Sequence, residues 1–94
     1  MNVEHDPAGR RFMTRVPGGE GVLTYTAPVP GILIFEDVEV SPALRGKGLA
    51  GQIVEAACRH ARATGARVIP TCPYIAWWFR QHSEQQDLLA PSEK

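Results

Sequence analysis

A glycine-rich segment, Arg45-Gly46-Lys47-Gly48-Leu49-Ala50-Gly51, most constrains how this chain can fold. It follows residues with strand composition and precedes residues with helical periodicity, so it predicts a strand, a loop and a helix in that order. Glycines in such a loop let backbone N–H groups approach an anion at the helix N-terminus, where the helix dipole also favours negative charge. The segment therefore predicts a phosphate-binding loop.

The residues before this loop predict an antiparallel meander of three strands. Runs rich in branched and aromatic residues are separated by turn signals that contain proline and glycine. The runs are residues 11–16, 22–26 and 32–40. Proline cannot donate to a strand ladder, so the prolines at positions 17, 28 and 30 mark the connections.

The residues after the loop predict a helix, a strand and a second helix. From Gly46 onward, apolar residues recur on one helical face for about four turns, and Gly65 stands where a C-terminal glycine cap belongs. Residues 67–70 have the composition of a short strand. Pro73 can open a second helix at its first position, with residues 74–81 continuing it. The fold class is therefore α/β (α+β), with the meander followed by helix, strand and helix.

Length and composition restrict the classes of function. A chain of 94 residues forms one small domain, which we assign to residues 1–94 with its core at 11–89 and a frayed tail from Ala90 onward. A net charge of zero gives no general attraction to nucleic acid or to an anionic membrane. Cys58 and Cys72 have neither metal-ligand nor disulfide-framework spacing. We predict a cytoplasmic protein with free thiols and no metal, either a monomer or a weak dimer.

The loop matches two phosphate-binding patterns. From Gly46 it reads G-x-G-x-x-G, the dinucleotide fingerprint, which requires a strand running directly into the first glycine and an acidic residue about 20 positions on. Residues 41–45 separate the strand from that glycine, and the next strand ends without a carboxylate. A nucleotide P-loop is weaker still, because Ser41 stands where its first glycine belongs. The flanks disfavour both interpretations.

From Arg45 the same loop reads [QR]-x-x-G-x-[GA], with Arg45, Gly48 and Ala50 at the specified positions. Together with a strand ending in Glu39-Val40 and a short Ser41-Pro42 elbow, it resembles the central motif of the GNAT (Gcn5-related N-acetyltransferase) superfamily. The resemblance implies a minimal GNAT-like fold and an acetyl-CoA-dependent acyltransfer activity.

The resemblance extends from Phe12 to Leu89 and is closest to the small single-domain YjdJ-type subfamily of GNAT-like proteins. It is carried by Phe12, Leu23-x-Tyr25, Glu39-Val40-Ser41-Pro42, the loop, Val68-Ile69-Pro70-x-Cys72-x-Tyr74, His82 and Asp87-Leu88-Leu89. Members usually carry His-Thr shortly before Glu-Val, where this chain has Asp37 and Val38. Any contribution of that pair to acceptor binding is therefore altered here.

The resemblance implies acetyl-CoA or coenzyme A as the cofactor. The loop N–H groups and cations would hold its pyrophosphate, and the backbone of the preceding strand would pair with its pantetheine amides. The implied cofactor-binding residues are Val38, Glu39, Val40, Arg45, Gly46, Lys47, Gly48, Leu49 and Ala50. The opposing interpretation is that the glycines only shape a helix entry and the cations are solvated.

Acetyl transfer to an amine needs a base for the amine and an acid for the departing thiolate. Asp37 and Glu39 are candidate bases, or else solvent-facing strand carboxylates. Cys72 precedes a helix N-terminus, which can activate a thiol, although a free cysteine is often buried and inert. Tyr74 is the candidate acid, as tyrosines are in many GNAT enzymes, or else a core residue.

The remaining aromatic, histidine and cysteine residues have structural interpretations. We expect Trp77 and Trp78 to divide between surface and core, Cys58 to be structural, and His60 and His82 to pack or cap helices. Gly51 is expected to allow close packing in the first helical turn. The predicted function is acetyl transfer to an unidentified small-molecule or protein amine; alternatives are a coenzyme A binding module with little turnover and a structural or interaction domain.

Overall fold

The structure, a computed structural model, describes residues 2–91 and contains one sheet with helices packed on it. Five strands follow the order β1-β2-β3-β4-β5. The elements are β1 (Glu4–Asp6), β2 (Arg11–Val16), β3 (Gly19–Thr26), β4 (Ile32–Val40), α1 (Leu49–Thr64), β5 (Arg67–Pro70) and α2 (Pro73–Gln81), with 3₁₀ turns at Pro42–Leu44 and Ser83–Leu88. The predicted mixed α/β class is confirmed.

The sheet is antiparallel from β1 to β4, and β5 runs parallel to β4. The predicted meander of β2, β3 and β4 is therefore confirmed, although β3 begins earlier than expected, at Gly19. The sequence analysis missed β1, an edge strand whose residues Glu4, His5 and Asp6 are polar. An edge strand pairs on one side only, so it needs no apolar run of the kind that marks a buried strand.

A β-bulge divides β4 into two halves. Between consecutive residues of β3, the partner on β4 changes from Asp37 to Phe35, so Glu36 is an extra residue. β5 pairs with β4 only as far as Phe35. The second half of β4, residues 36–40, therefore has an edge without a strand partner in the part of the chain that the structure describes.

A single apolar core lies between the sheet and the two helices. Its most buried side chains are those of Leu23, Phe35, Ile53, Val54, Ala57, Cys58, Ala61, Val68 and Ile75. α1 approaches β3 closely at Gly21, where a Cβ would lie 2.5 Å from Ile53 Cδ1. On the opposite face of the sheet the side chains are exposed or half-buried. None of the helices within residues 2–91 combines the length and apolar character needed to cross a membrane.

The first helix begins at Leu49, directly after the loop glycines, and its 16 residues agree with the predicted length of about four turns. Gly46 and Gly48 have φ angles of 80° and 78°, which lie outside the right-handed helical region, so the helix starts only after them. At the other end, Gly65 has φ 75° and its N–H donates to the carbonyls of Ala61 and Arg62. The predicted glycine cap is confirmed.

The end of the described chain is better ordered than the predicted frayed tail. The Ala90 N–H donates to the Val68 carbonyl at 2.9 Å, and Leu89 forms a parallel bridge with Val68. This pairing places the segment beside β5. Met1 and residues 92–94 of the predicted domain and tail lie outside the described residues.

Candidate active site

The loop between β4 and α1 is shaped by two glycines with left-handed backbones. Gly46 and Gly48 have φ angles of 80° and 78°, which cost an L residue about 1–2 kcal/mol. A Cβ added to either glycine would meet no heavy atom within 4 Å other than those of the glycine itself and its two neighbours in the chain. Glycine is therefore required here by the backbone conformation and not by lack of space. The space in front of the loop is open.

The N-terminus of α1 presents free donors to that space. Gly48 is the N-cap, and the helix has neither a side-chain cap nor an acidic residue in its first turn. The first hydrogen bond within the helix runs from the Gln52 N–H to the Gly48 carbonyl, at 3.2 Å. The N–H groups of residues 49–51 therefore have no acceptor within the helix. These donors and the positive end of the helix dipole favour an anion.

The unpaired edge of β4 adds a second set of backbone groups. The Ser41 N–H donates to the Glu20 carbonyl at 2.9 Å, which fixes the alternation of the antiparallel ladder. By that alternation Glu39 pairs with β3, whereas Val38 and Val40 direct their N–H and C=O groups to the open edge. Arg45 Nε donates to the Val40 carbonyl at 3.2 Å.

Two adjoining clefts connect the loop with this edge. The larger, of about 570 Å³, is lined by Glu20, Val22, Val38, Glu39, Val40, Ser41, Pro42, Arg45, Ala50 and Tyr74. The smaller, of about 230 Å³, is lined by Val40, Leu44, Arg45, Gly46, Gly48, Leu49, Ala50 and Tyr74. They share Val40, Arg45, Ala50 and Tyr74, so they form one continuous groove, which we call the cleft.

Most of the predicted site residues lie along this cleft. The larger part is lined by Val38, Glu39, Val40, Arg45, Ala50 and Tyr74, and the smaller part adds Gly46, Gly48 and Leu49. Lys47 is exposed on the loop between the two glycines but lines neither part. Asp37 and Cys72 also line neither.

Tyr74, in the first turn of α2, forms the wall of the cleft facing the loop. Its side chain is 36% exposed, and a Cβ at Gly51 would lie 3.5 Å from its hydroxyl. Burial, with a smaller effect of the nearby Cys72 thiol, raises the pKa of Tyr74. The phenol therefore keeps its proton at neutral pH and can donate it.

The other two predicted catalytic residues lie away from the cleft. Cys72 is buried at the N-cap position of α2, where its carbonyl accepts the Ala76 N–H at 2.9 Å. Asp37 is exposed and pairs with Thr24. It lies on the opposite face of β4 from Val38, because side chains alternate along a strand.

The structure adds cleft residues that the sequence analysis did not select, namely Glu20, Val22, Ser41 and Pro42. Ser41 Oγ accepts the Glu20 N–H at 2.9 Å and donates to the Glu20 carbonyl at 3.1 Å, so it joins the start of β3 to the end of β4. Ser41 stands inside the quoted motif and could have been found there. Glu20 could not, because its place depends on the β3–β4 register.

The expectations for the aromatic residues, for Cys58 and for His82 are confirmed. Trp77 is 46% exposed and Trp78 only 3%, and His82, at the C-cap of α2, stacks on Trp78 with ring centroids 3.9 Å apart. Burial raises the pKa of the Cys58 thiol to about 12, consistent with an inert core residue. At Gly51 a Cβ would lie 3.4 Å from Trp78 Nε1, an ordinary contact, so α1 and α2 are close but leave room for a methyl group.

Comparison with known proteins identifies the family. A sequence model described as GCN5-related N-acetyl-transferase matches residues 11–88, which include β2 to α2 and the whole cleft. The chain belongs to this family. Protein NATD1 from Bos taurus is 31% identical over 90 residues, which cover 94% of this chain and 80% of that protein. Membership of the YjdJ-type subfamily stays a prediction.

Solved structures share the fold of this GNAT protein. A GCN5-like protein from Staphylococcus aureus has a TM-score of 0.74 at 19% identity, with 98% of this chain and 90% of that chain covered. Nourseothricin acetyltransferase has a TM-score of 0.53 at 27% identity, and the match covers 84% of this chain and 52% of that enzyme. Ribosomal-protein-alanine N-acetyltransferase from Brucella melitensis biovar Abortus 2308 has a TM-score of 0.51 at 17% identity, with coverages of 90% and 67%. The family and the fold support acetyl transfer as the general activity.

Proposed function

We propose that this GNAT protein is an acetyl-CoA-dependent N-acetyltransferase that binds its cofactor in the cleft and acetylates an amine. The observation that carries the proposal is that one groove joins the donor-rich start of α1 to the open edge of β4. An anion site beside an unpaired strand edge fits a ligand with a pyrophosphate at one end and amides along its arm.

The residues of the cleft fit the two parts of coenzyme A. The N–H groups at the start of α1 and the side chains of Arg45 and Lys47 would hold the pyrophosphate. Val38 and Val40 would pair with the pantetheine amides through the open edge of β4. Arg45 would then exchange its bond to the Val40 carbonyl for the phosphates, since that carbonyl is one of the groups the arm needs.

The chemistry requires proton transfers that residues of the cleft can perform. When bound, acetyl-CoA supplies an activated acetyl group whose carbon–sulfur bond breaks as the carbon–nitrogen bond forms. Glu39 lines the groove and Asp37 does not, so Glu39 is favoured over Asp37 as the acceptor of the amine proton. Tyr74 supplies a proton to the sulfur, since its raised pKa keeps the phenol protonated.

Direct transfer to the amine is favoured over a covalent intermediate on Cys72, because that thiol is buried outside the cleft. The catalytic assignments of Asp37 and Cys72 remain predictions that substitution can test. We also keep the cytoplasmic location and the monomer or weak dimer as proposals, the first because both cysteines are free thiols in the described chain.

Two measurements on the same protein test this function. Coenzyme A at 100 times its Kd should stabilise the native state by about 2.7 kcal/mol, which thermal unfolding detects. Mass spectrometry of primary amines incubated with acetyl-CoA then detects acetylated product. Absence of any shift at saturating ligand would contradict the cofactor assignment, whereas a shift without product would reduce the protein to a coenzyme A binding module.

A further inference from the structure

The ladder between β3 and β4 ends at Glu20 and Ser41 with an exchange of acceptors. In an antiparallel sheet, each residue of a hydrogen-bonded pair donates its N–H to the carbonyl of the other. The Ser41 N–H donates to the Glu20 carbonyl at 2.9 Å, as this pattern requires. The Glu20 N–H, however, donates to the Ser41 hydroxyl oxygen, also at 2.9 Å, and not to the Ser41 carbonyl. The side chain of Ser41 therefore takes the place of its own backbone carbonyl in the ladder.

This exchange frees the Ser41 carbonyl for the turn that leads to the glycine loop. That carbonyl accepts the Leu44 N–H at 2.8 Å, and the Pro42 carbonyl accepts the Arg45 N–H at 3.3 Å. Both bonds have the i to i+3 spacing of the 3₁₀ turn at Pro42–Leu44. β4 therefore stays paired up to Ser41, and the turn begins at the same residue. Only the three residues of this turn separate Ser41 from Arg45, so the connection between the β4 edge and the loop is short and hydrogen-bonded.

The turn between β2 and β3 packs against this connection and needs glycine to do so. A Cβ at Gly19 would lie 2.5 Å from both Cβ and Oγ of Ser41, which is too close for atoms that are not bonded. The same Cβ would lie 3.3 Å from Cδ1 of Leu44, a buried residue of the 3₁₀ turn. Glycine at position 19 thus permits a close approach of two backbones. It lets the start of β3 hold Ser41 in place.

The Ser41 hydroxyl is occupied by bonds to Glu20. Its oxygen accepts the Glu20 N–H, and its proton is donated to the Glu20 carbonyl at 3.1 Å. A serine has one hydroxyl proton, so Ser41 has no further donor for a ligand, although it lines the larger part of the cleft. Its neighbour Val40 lies on the open edge of β4, and Arg45 begins the loop. Ser41 therefore lies between the two halves of the proposed cofactor site and can act on a ligand through both.

A ligand that spans both halves depends on the spacing between them. Two linked groups gain affinity from their linkage only when both of their sites can be occupied at once. A diphosphate needs only the loop and the start of α1. Coenzyme A as a whole also needs the edge of β4. A change in the connection should therefore weaken the binding of coenzyme A and spare a ligand that occupies the loop alone.

We propose that Ser41 is a positioning residue that, together with Gly19, holds the glycine loop at the spacing from the β4 edge that coenzyme A requires. This inference rests on the proposed function. The Ser41 hydroxyl fixes the end of β4 against the start of β3, and the missing side chain at Gly19 leaves room for it. The loop then follows after one short turn.

Calorimetric titration of coenzyme A and of ADP, a diphosphate without the pantetheine arm, distinguishes this role from a general loss of stability. Ser41→Ala removes both hydroxyl bonds and should raise the Kd for coenzyme A about fivefold. The Kd for ADP should stay close to the wild-type value. Thr64→Ala is the matched control, because it also removes hydroxyl bonds to the backbone, at the other end of α1. It should change neither Kd, although urea unfolding should show a small loss of stability in both variants.

Gly19→Ala is the second variant, because it displaces Ser41 while the hydroxyl is retained. It should show the same selective loss of affinity for coenzyme A. An unchanged affinity in Ser41→Ala, or equal losses for coenzyme A and ADP, would overturn the inference while leaving the acetyltransferase assignment intact. Failure of the wild-type protein to bind ADP would also overturn it, because the loop would then not hold a diphosphate by itself. Failure to bind coenzyme A would remove the proposed function and this inference with it.

Discussion

The two ends of α1 differ in how their backbone groups are satisfied. At the N-terminus, Gly48 leaves the first N–H groups without a cap and facing the cleft. At the C-terminus, the Gly65 and Ala66 N–H groups bond to carbonyls of the last turn, and Thr64 Oγ1 donates to the His60 carbonyl at 3.0 Å. The first end has donors available for the proposed ligand, whereas the backbone and side chains of the protein satisfy the groups at the second.

Side chains reinforce the closed end from two directions. Arg62 makes a bidentate ion pair with Asp87, at 2.8 and 2.9 Å, which ties the 3₁₀ turn after α2 to α1. On the other side, His5 stacks on Phe12 with ring centroids 4.3 Å apart and hydrogen-bonds the Tyr25 hydroxyl at 2.5 Å. Among residues 2–91, no such network of ion pairs and stacked rings closes the loop end. Stabilising contacts are therefore concentrated at one end of the helix, and the proposed ligand site lies at the other.

The largest expected difference is in kcat, between substitutions of two tyrosines that lie near opposite ends of α1. Tyr74→Phe should lower kcat about 100-fold, because it removes the proton donor for the departing sulfur. Tyr25→Phe is the matched control, because burial raises the pKa of both phenols but the Tyr25 hydroxyl hydrogen-bonds only His5 among the described residues. It should lower the unfolding free energy and leave kcat unchanged. Steady-state kinetics and urea unfolding measure the two effects, and equal kcat values for both variants would contradict the assigned acid.

Two glycines with similar backbone conformations can distinguish an effect on coenzyme A binding from the effect of backbone strain. Gly48 and Gly65 have φ angles of 78° and 75°, and a Cβ on either meets nothing within 4 Å. Alanine at either position should cost about 1 kcal/mol of stability. Only Gly48→Ala should also raise the Kd for coenzyme A, by about tenfold, because it alters the donors facing the phosphates. A comparable loss of affinity in Gly65→Ala would show that strain alone explains the result.

The histidine cluster should make stability fall in mild acid. Burial, followed by the nearby His60, lowers the pKa of His5 in the folded protein. The unfolded state then binds more protons below about pH 6.5, so the unfolding free energy decreases as pH falls from there through the folded pKa. His5→Phe keeps an aromatic ring on Phe12 but cannot titrate, and its unfolding free energy should vary less over this range. Parallel curves for both proteins would exclude His5 as the source.

A smaller effect is expected at the Arg62–Asp87 pair, whose side chains are 47% and 62% exposed. The hydrogen bonds from Arg62 lower the pKa of Asp87, so its contribution is present above about pH 3.9 and is lost as pH falls through the folded value. Asp87→Asn should slightly lower stability at neutral pH and weaken this acid dependence. Glu55→Gln, which breaks the longer Arg59 contact of 3.9 Å, should have a still smaller effect. Chemical unfolding across the acid range measures both.

Local patterns predicted the central elements because each has its own signal. Branched and aromatic runs between turn signals predicted the meander, helical periodicity predicted α1, and Gly65 predicted the end of that helix, all confirmed. The polar strand β1 carried no such signal, since its pairing with β2 supplies the order. Likewise, nothing local distinguishes Glu39, which lines the cleft, from Asp37, which does not. Both side chains lie on the same face of β4, and only Glu39 is near enough to the end of the strand to line the cleft.

The sequence by itself determined the strand–loop–helix unit and its glycines, because backbone conformation and helix N-termini depend on neighbours along the chain. It also carried the motif that led to the family. Tertiary structure alone decided that β5 stops pairing at Phe35, that Tyr74 faces the loop, and that Glu20 shares the cleft with Glu39. These facts depend on register and on packing between residues far apart in sequence, which no local pattern encodes.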